Sequence, residues 1–164
     1  MNVFSRLGIN ENHDLVVHSG LGNLKVRFEN GAKDVKNAIL ETVAPKGTVI
    51  MPSHSGQLTD PHDWTNPSAV KEDIPEIIDK MKPFNPQTTK IRNRGALAEE
   101  LFLDPRIKRS HHPLNSVIAL GPKADHYTHS HPLHESEGYN SPAWRFYKSR
   151  GYVLLIGVDA SSCT

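Results

Sequence analysis

Hydrophobic residues in this chain fall into short runs, each bounded by turn residues. Residues 14–19 (DLVVHS) are a short, partly β-branched run with an apolar centre, and Asn12 and Gly20 bracket them. That pattern predicts a strand running into a turn. Asn30–Gly31 is a turn signal. After it, Val35, Ala38, Ile39, Thr42 and Val43 recur at helical spacing and predict a helix over 32–43. Pro45 and Gly47 end that helix, and Thr48, Val49, Ile50 and Met51 form a second buried-type run closed by Pro52. Strand, helix, strand in this order is a βαβ unit, with a parallel pair and a right-handed crossover. It places Ser19 and Ser53 at the carboxyl ends of neighbouring strands, where open α/β folds hold their ligands.

The pattern then changes. Residues 52–94 contain Pro52, Pro61, Pro67, Pro75, Pro83 and Pro86 among many polar positions. They predict a long excursion from the strand end, with a short helix at 74–81 that carries Pro75 in its first turn. Leu97, Ala98, Leu101 and Phe102 mark one side of a helix over 95–103, stopped at Asp104–Pro105. Residues 116–120 read as a third strand before Gly121–Pro122, and 124–130 as a short helix. Ser141 is an N-cap with Pro142 at the first helical position, and that helix runs to Arg150 before Gly151. Residues 152–158 (YVLLIGV) are the most continuous apolar run, which predicts a central strand covered on both faces. The resulting class is α/β: a mostly parallel sheet flanked by helices, in one domain over 1–164.

Composition narrows the function classes. The chain has 164 residues, 19 basic and 18 acidic, for a net charge of +1. A nucleic-acid binder is expected to carry a basic stripe with interleaved aromatics. Only Arg106–Ile107–Lys108–Arg109 approaches one, so no nucleic-acid partner is expected. One cysteine, Cys163, rules out an internal disulfide and a thiolate metal cluster. No apolar run approaches ~18 residues and the amino terminus lacks a leader pattern, so the expectation is a cytoplasmic protein without a membrane span.

Several residues carry candidate chemistry. His126, His129, His131 and His134 are dense enough to suggest zinc, but two lie in a predicted helix and two flank Pro132, with no HExxH arrangement. Ordinary surface or pocket histidines is the preferred reading, with no metal. His111–His112 precedes a strand and offers an imidazole base. His18 and Ser19 are adjacent on a strand, so they point to opposite faces and are badly placed to share a proton. Ser19 is better suited to offer its hydroxyl to an anionic ligand. Glu99 and Glu100 sit on the 95–103 helix, where surface charge is the default reading and a carboxylate entering a pocket, able to hold a cationic substrate, is the alternative. Neither a dinucleotide fingerprint nor a P-loop is present.

Five strings taken in order resemble the aminoglycoside 3-N-acetyltransferase family, also called antibiotic N-acetyltransferases. They are LVVHSGLGNL at 15–24, KGTVIMPSHS at 46–55, FNPQTTKIRNRGALAEELF at 84–102, KRSHHPLNSVIALGPKAD at 108–125 and GYNSPAWRFYKSRGYVLLIGV at 138–158. The resemblance implies acetyl transfer from acetyl-CoA to the 3-amino group of a deoxystreptamine antibiotic, so a small-molecule partner. It implies a cofactor-side turn at Ser19, Gly20 and Leu21, where Gly20 stands in place of the family's second serine. It places Ser110, His112 and Ser116 near the cleft, with Lys108 and Arg109 as candidates for the CoA phosphates. Glu99 matches the glutamate of the family's Gly-x-Leu-Ala-Glu string. Thr164 matches the threonine of a Thr-x-x-His arrangement whose histidine is the family's general base. That histidine falls beyond residue 164, so the expectation is an incomplete, C-terminally truncated family domain. His112, Thr164 and Glu99 are the catalytic candidates within the sequence. An inert relative binding CoA or another anion, and a metal enzyme built on the histidines, are the alternatives.

Overall fold

A computed structural model describes residues 3–163. It contains helix α1 (Val3–Arg6), strand β1 (Leu15–Ser19), α2 (Ala32–Val43) and β2 (Val49–Pro52). Next come α3 (Ile74–Lys80), α4 (Ala96–Phe102), β3 (Lys108–Arg109) and β4 (Val117–Leu120). The series ends with α5 (Ala124–Thr128), α6 (Pro142–Lys148) and β5 (Tyr152–Ile156). The strands form one sheet in the order β3-β4-β2-β1-β5.

Alternation along the strands sorts side chains onto two faces. Leu15, Val17, Val49, Met51, Ile118 and Leu120 pack with Val35, Ile39 and Val43 of α2 and Leu97, Ala98 and Leu101 of α4. Their neighbours Val16, Ile50, Val117 and Ala119 face the other way, against Ala124 and Tyr127 of α5 and Phe146 of α6. The result is a three-layer α/β/α arrangement. Helix α6 begins as its sequence dictates, with the Ser141 hydroxyl accepting from the Trp144 N–H at 3.1 Å and Pro142 next in line.

Two expectations change. The sheet is mixed: β1 pairs in parallel with β2 and β5, but β4 pairs antiparallel with β2 and with β3. The α/β class and the flanking helices hold. A long connection, residues 53–116, separates β2 from β4, and nothing in a four-residue apolar run encodes which way it points. The second change concerns residues 152–158. Of these, Tyr152–Ile156 form a strand at the edge of the described sheet, where a central one was expected. Only Leu154 is fully buried there, while Tyr152 and Val153 are about half exposed (56% and 48%).

The amino end of the parallel strands is tied by one carboxylate. Asp14, 4% exposed, accepts from the Thr48 N–H (3.0 Å), Lys123 Nζ (2.8 Å) and the Tyr127 hydroxyl (2.7 Å). Burial, followed by the Asp14 contact, pushes the Tyr127 phenol well above its ordinary pKa. Asp14 thereby joins β1, the start of β2 and α5. Asp14→Ala should lower unfolding stability by roughly 2–3 kcal/mol, since it strands donors of a charge-assisted network. Urea denaturation checks this, and a loss below ~0.5 kcal/mol contradicts it.

Candidate functional site

The carboxyl ends of β1 and β2 meet the start of α4, and two cavities lie there. One, of about 180 Å³, is lined by Val17, His18, Ser19, Met51, Arg94 and Gly95 among others. The second, of about 160 Å³, is largely apolar, with Val16, Ile50, His54, Phe146 and Val153 in its walls. His18 and Pro52 line both. Gly95 has φ +80°, and a Cβ there would lie 3.2 Å from the Ser19 carbonyl oxygen. A glycine therefore lets the Arg94–Gly95 backbone close against the end of β1.

Arg94 donates to His54 Nδ1. Its Nε is buried without a partner, as is the Ser19 hydroxyl oxygen. Burial, then the nearby Arg94 charge, drives the His54 pKa down to about 4, so this imidazole stays neutral. The same two causes lower His18.

Beside this cleft a histidine pair is locked by its hydrogen bonds. His131 Nε2 lies 2.8 Å from the Ser136 carbonyl oxygen, which only accepts, so Nε2 carries the hydrogen. His131 Nδ1 then accepts from the Ser110 hydroxyl at 2.8 Å, and Ser110 Oγ accepts from the Val117 N–H at 2.9 Å. His112 Nδ1 accepts from the N–H groups of Leu114 (3.2 Å) and Asn115 (2.9 Å). Its hydrogen is therefore on Nε2, which is buried and unpartnered. The two ring centroids lie 4.6 Å apart with the planes tilted by 47°. Burial is the main cause that takes His131 down to about 4.

Arg109 departs from expectation. It is 7% exposed and faces inward. Nε donates to Ser116 Oγ (3.0 Å), Nη2 to the Ser53 carbonyl (2.6 Å) and to Ser55 Oγ (2.9 Å), and Nη1 to the Thr89 carbonyl. Phe84 and Phe102 lie 5.0 and 5.1 Å from the guanidinium. Burial lowers its pKa to about 10. Four donors spent on the protein make Arg109 a structural clamp, contrary to the phosphate role expected of it. Ser116 belongs to that clamp: its hydroxyl donates to the Ser53 carbonyl at 2.8 Å, so the Ser53 hydroxyl must donate in their 3.0 Å contact.

The remaining candidates scatter. Lys108 is exposed and pairs with Asp125 at 3.4 Å, along a separate groove of about 500 Å³. Glu99 is exposed and lines another groove with Lys90 and Arg92, while Glu100 pairs with Lys36 at 2.7 Å. Leu21 packs against the main core. A Cβ on Gly20 would sit 2.9 Å from Val158 Cγ1, so the turn closes where the family pattern has a serine. Thr164 lies outside the described residues. His126, His129 and His134 are exposed while His131 turns inward, and no group of three His, Cys, Asp or Glu side chains is placed to hold a metal among the described residues. Arg94 and His54 were missed by sequence reasoning. The signal was present as an arginine directly before a glycine that opens a helix.

A profile described as aminoglycoside 3-N-acetyltransferase matches residues 16–164. The chain belongs to the aminoglycoside 3-N-acetyltransferase family. It is 35% identical over 159 residues to the SPbeta prophage-derived aminoglycoside N(3')-acetyltransferase-like protein YokD of Bacillus subtilis, covering 96% of this chain and 58% of that protein. It is 32% identical over 160 residues to an aminoglycoside N(3)-acetyltransferase III from a Salmonella species, covering 97% and 54%. The chain thus spans little more than half the length of these relatives. The crystal structure of YokD superposes with a TM-score of 0.90 at 34% identity, over 98% of this chain and 60% of that one. AAC-IIIb, solved as a binary complex with CoASH, gives a TM-score of 0.76 at 29% identity, over 93% and 55%. No helix among the described residues is long and apolar enough to cross a membrane.

The buried histidines set a pH dependence. For His54 and His131 the folded pKa, about 4, lies below the ordinary 6.5, so the unfolded chain binds more protons between those values. Their contribution is complete above pH 6.5 and is lost as pH falls toward 4. Urea midpoints should therefore drop across that window, with a slope approaching about two protons. His131→Gln should remove about one of them. A flat profile between pH 6.5 and 4 contradicts the neutral-histidine assignment.

Proposed function

We propose that this chain is the cosubstrate-binding part of an acetyl-CoA-dependent N-acetyltransferase whose acceptor is an aminoglycoside-type amine, at the 3-amino group of a 2-deoxystreptamine ring. The observation that carries the reading is the cleft at the strand ends, with Ser19 on its wall, in a chain of this family. Open α/β sheets bind ligands at that edge. Ser19 is the residue of the cofactor-side turn that lines the cleft. The apolar second cavity beside it suits the uncharged part of a thioester chain.

The chemistry divides between this chain and what the family pattern places after Thr164. An amine that is protonated near neutral pH must lose its proton before it attacks a thioester. On this reading His112, with Nδ1 engaged by two backbone N–H groups, holds its Nε2 hydrogen as a donor and is not the proton acceptor. The acceptor is then the histidine of the Thr-x-x-His arrangement.

Residues 1–164 alone are expected to bind acetyl-CoA and to release almost no CoA thiol when given a panel of aminoglycosides. Calorimetric titration and a thiol-release assay check the two halves separately. Turnover comparable to a complete family enzyme would overturn the assignment of the proton acceptor. Binding of acetyl-CoA without any acetyl transfer by a longer chain would favour the alternative, an inert CoA-binding relative.

A further inference from the structure

The cavity at the end of β1 holds two buried donors without a hydrogen-bond partner among the described residues. Arg94 Nε and Ser19 Oγ are shut from solvent without partners, and both residues line the same cavity of about 180 Å³. A buried polar group left unpaired costs about 1–3 kcal/mol. Two such groups around one cavity call for a shared acceptor. Charge narrows the choice. Burial lowers the Arg94 pKa, but a guanidinium remains cationic in proteins. Among the described residues no carboxylate pairs with Arg94, and no Asp or Glu lines the cavity. Its bonded neighbour is the neutral imidazole of His54. A polycationic amine is repelled from such a place and an anionic oxygen is drawn in.

We propose that Arg94, steered by His54, and Ser19 form an anion site that takes a phosphate-type oxyanion of the cosubstrate. Only the identity of that cosubstrate, acetyl-CoA, rests on the function proposed above; the preference for an anion rests on the cavity. Arg94 thus fills the role that Arg109 cannot, because Arg109 spends its donors inside the protein. His54 is a positioning residue, acting through the acceptor nitrogen it turns to Arg94. Gly95 lets the backbone that follows Arg94 close against the Ser19 carbonyl.

Calorimetric titration of the 164-residue chain with acetyl-CoA, 3′,5′-ADP and pyrophosphate tests this, with melting temperatures recorded for every variant. Arg94→Met should weaken acetyl-CoA binding at least ~10-fold, or about 1.4 kcal/mol. Arg94→Lys, which keeps the charge but loses the planar fork, should fall between. His54→Gln, which keeps an acceptor, should bind better than His54→Leu. Competition by 3′,5′-ADP or by pyrophosphate tells which phosphate of acetyl-CoA occupies the site, and either result supports it. Equal acetyl-CoA affinity in the wild type and in a folded Arg94→Met overturns the anion site and leaves the acetyl-CoA reading intact. Pyrophosphate binding that depends on Arg94, without any acetyl-CoA binding, keeps the anion site and removes the acetyl-CoA reading. If Arg94→Met does not fold, unchanged affinity in Arg94→Lys at an unchanged melting temperature overturns the proposal. Absence of binding by all three ligands overturns both.

Discussion

A buried guanidinium without a carboxylate partner organises this end of the molecule. Arg109 is held by the carbonyls of Ser53 and Thr89, the hydroxyls of Ser55 and Ser116, and the faces of Phe84 and Phe102. Burying an unpaired charge costs several kcal/mol. Hydrogen bonds to a charged group contribute about 1.5–3 kcal/mol each, and stacking on aromatic rings adds to them. The balance is favourable only if every partner is in place at once. The end of β2, the excursion after it, helix α4 and the start of β4 are therefore held in one arrangement. Pro52 and His54, chain neighbours of the clamp's Ser53 and Ser55, line the cavities beside it.

Burial is the main reason the histidines beside this end of the sheet are neutral, and neighbouring charges add to it. With Arg94 and Arg145 nearby and several imidazoles packed together, another positive charge in this region is strongly disfavoured. His54 and His131 respond by staying unprotonated, and their hydrogen bonds then assign each ring a defined tautomer. His54 offers a lone pair to Arg94, and His131 offers one to Ser110. These buried histidines act as fixed donors and acceptors in the fold. Two arginines in one neighbourhood thus divide the work. Arg109 is consumed by the scaffold, while Arg94 keeps a buried donor free beside a cavity.

Much of the secondary structure was legible in the sequence alone. The helix expected over 32–43 and the Ser141–Pro142 helix start lie where periodicity and capping placed them. So do the short helix with Pro75 in its first turn and the strands near 15, 49, 117 and 152. These features depend on residues within a few positions of one another, so a linear reading captures them. The βαβ pattern was equally local, and it located Ser19 at a strand end. Tertiary structure alone decided strand direction, the edge position of β5 within the described sheet and the fate of each arginine. The partners of Arg109 include residues 20, 54 and 56 positions away, and one side chain's burial is set by all of them together. No local pattern distinguishes an arginine that will be enclosed by such distant groups from one that will face a ligand.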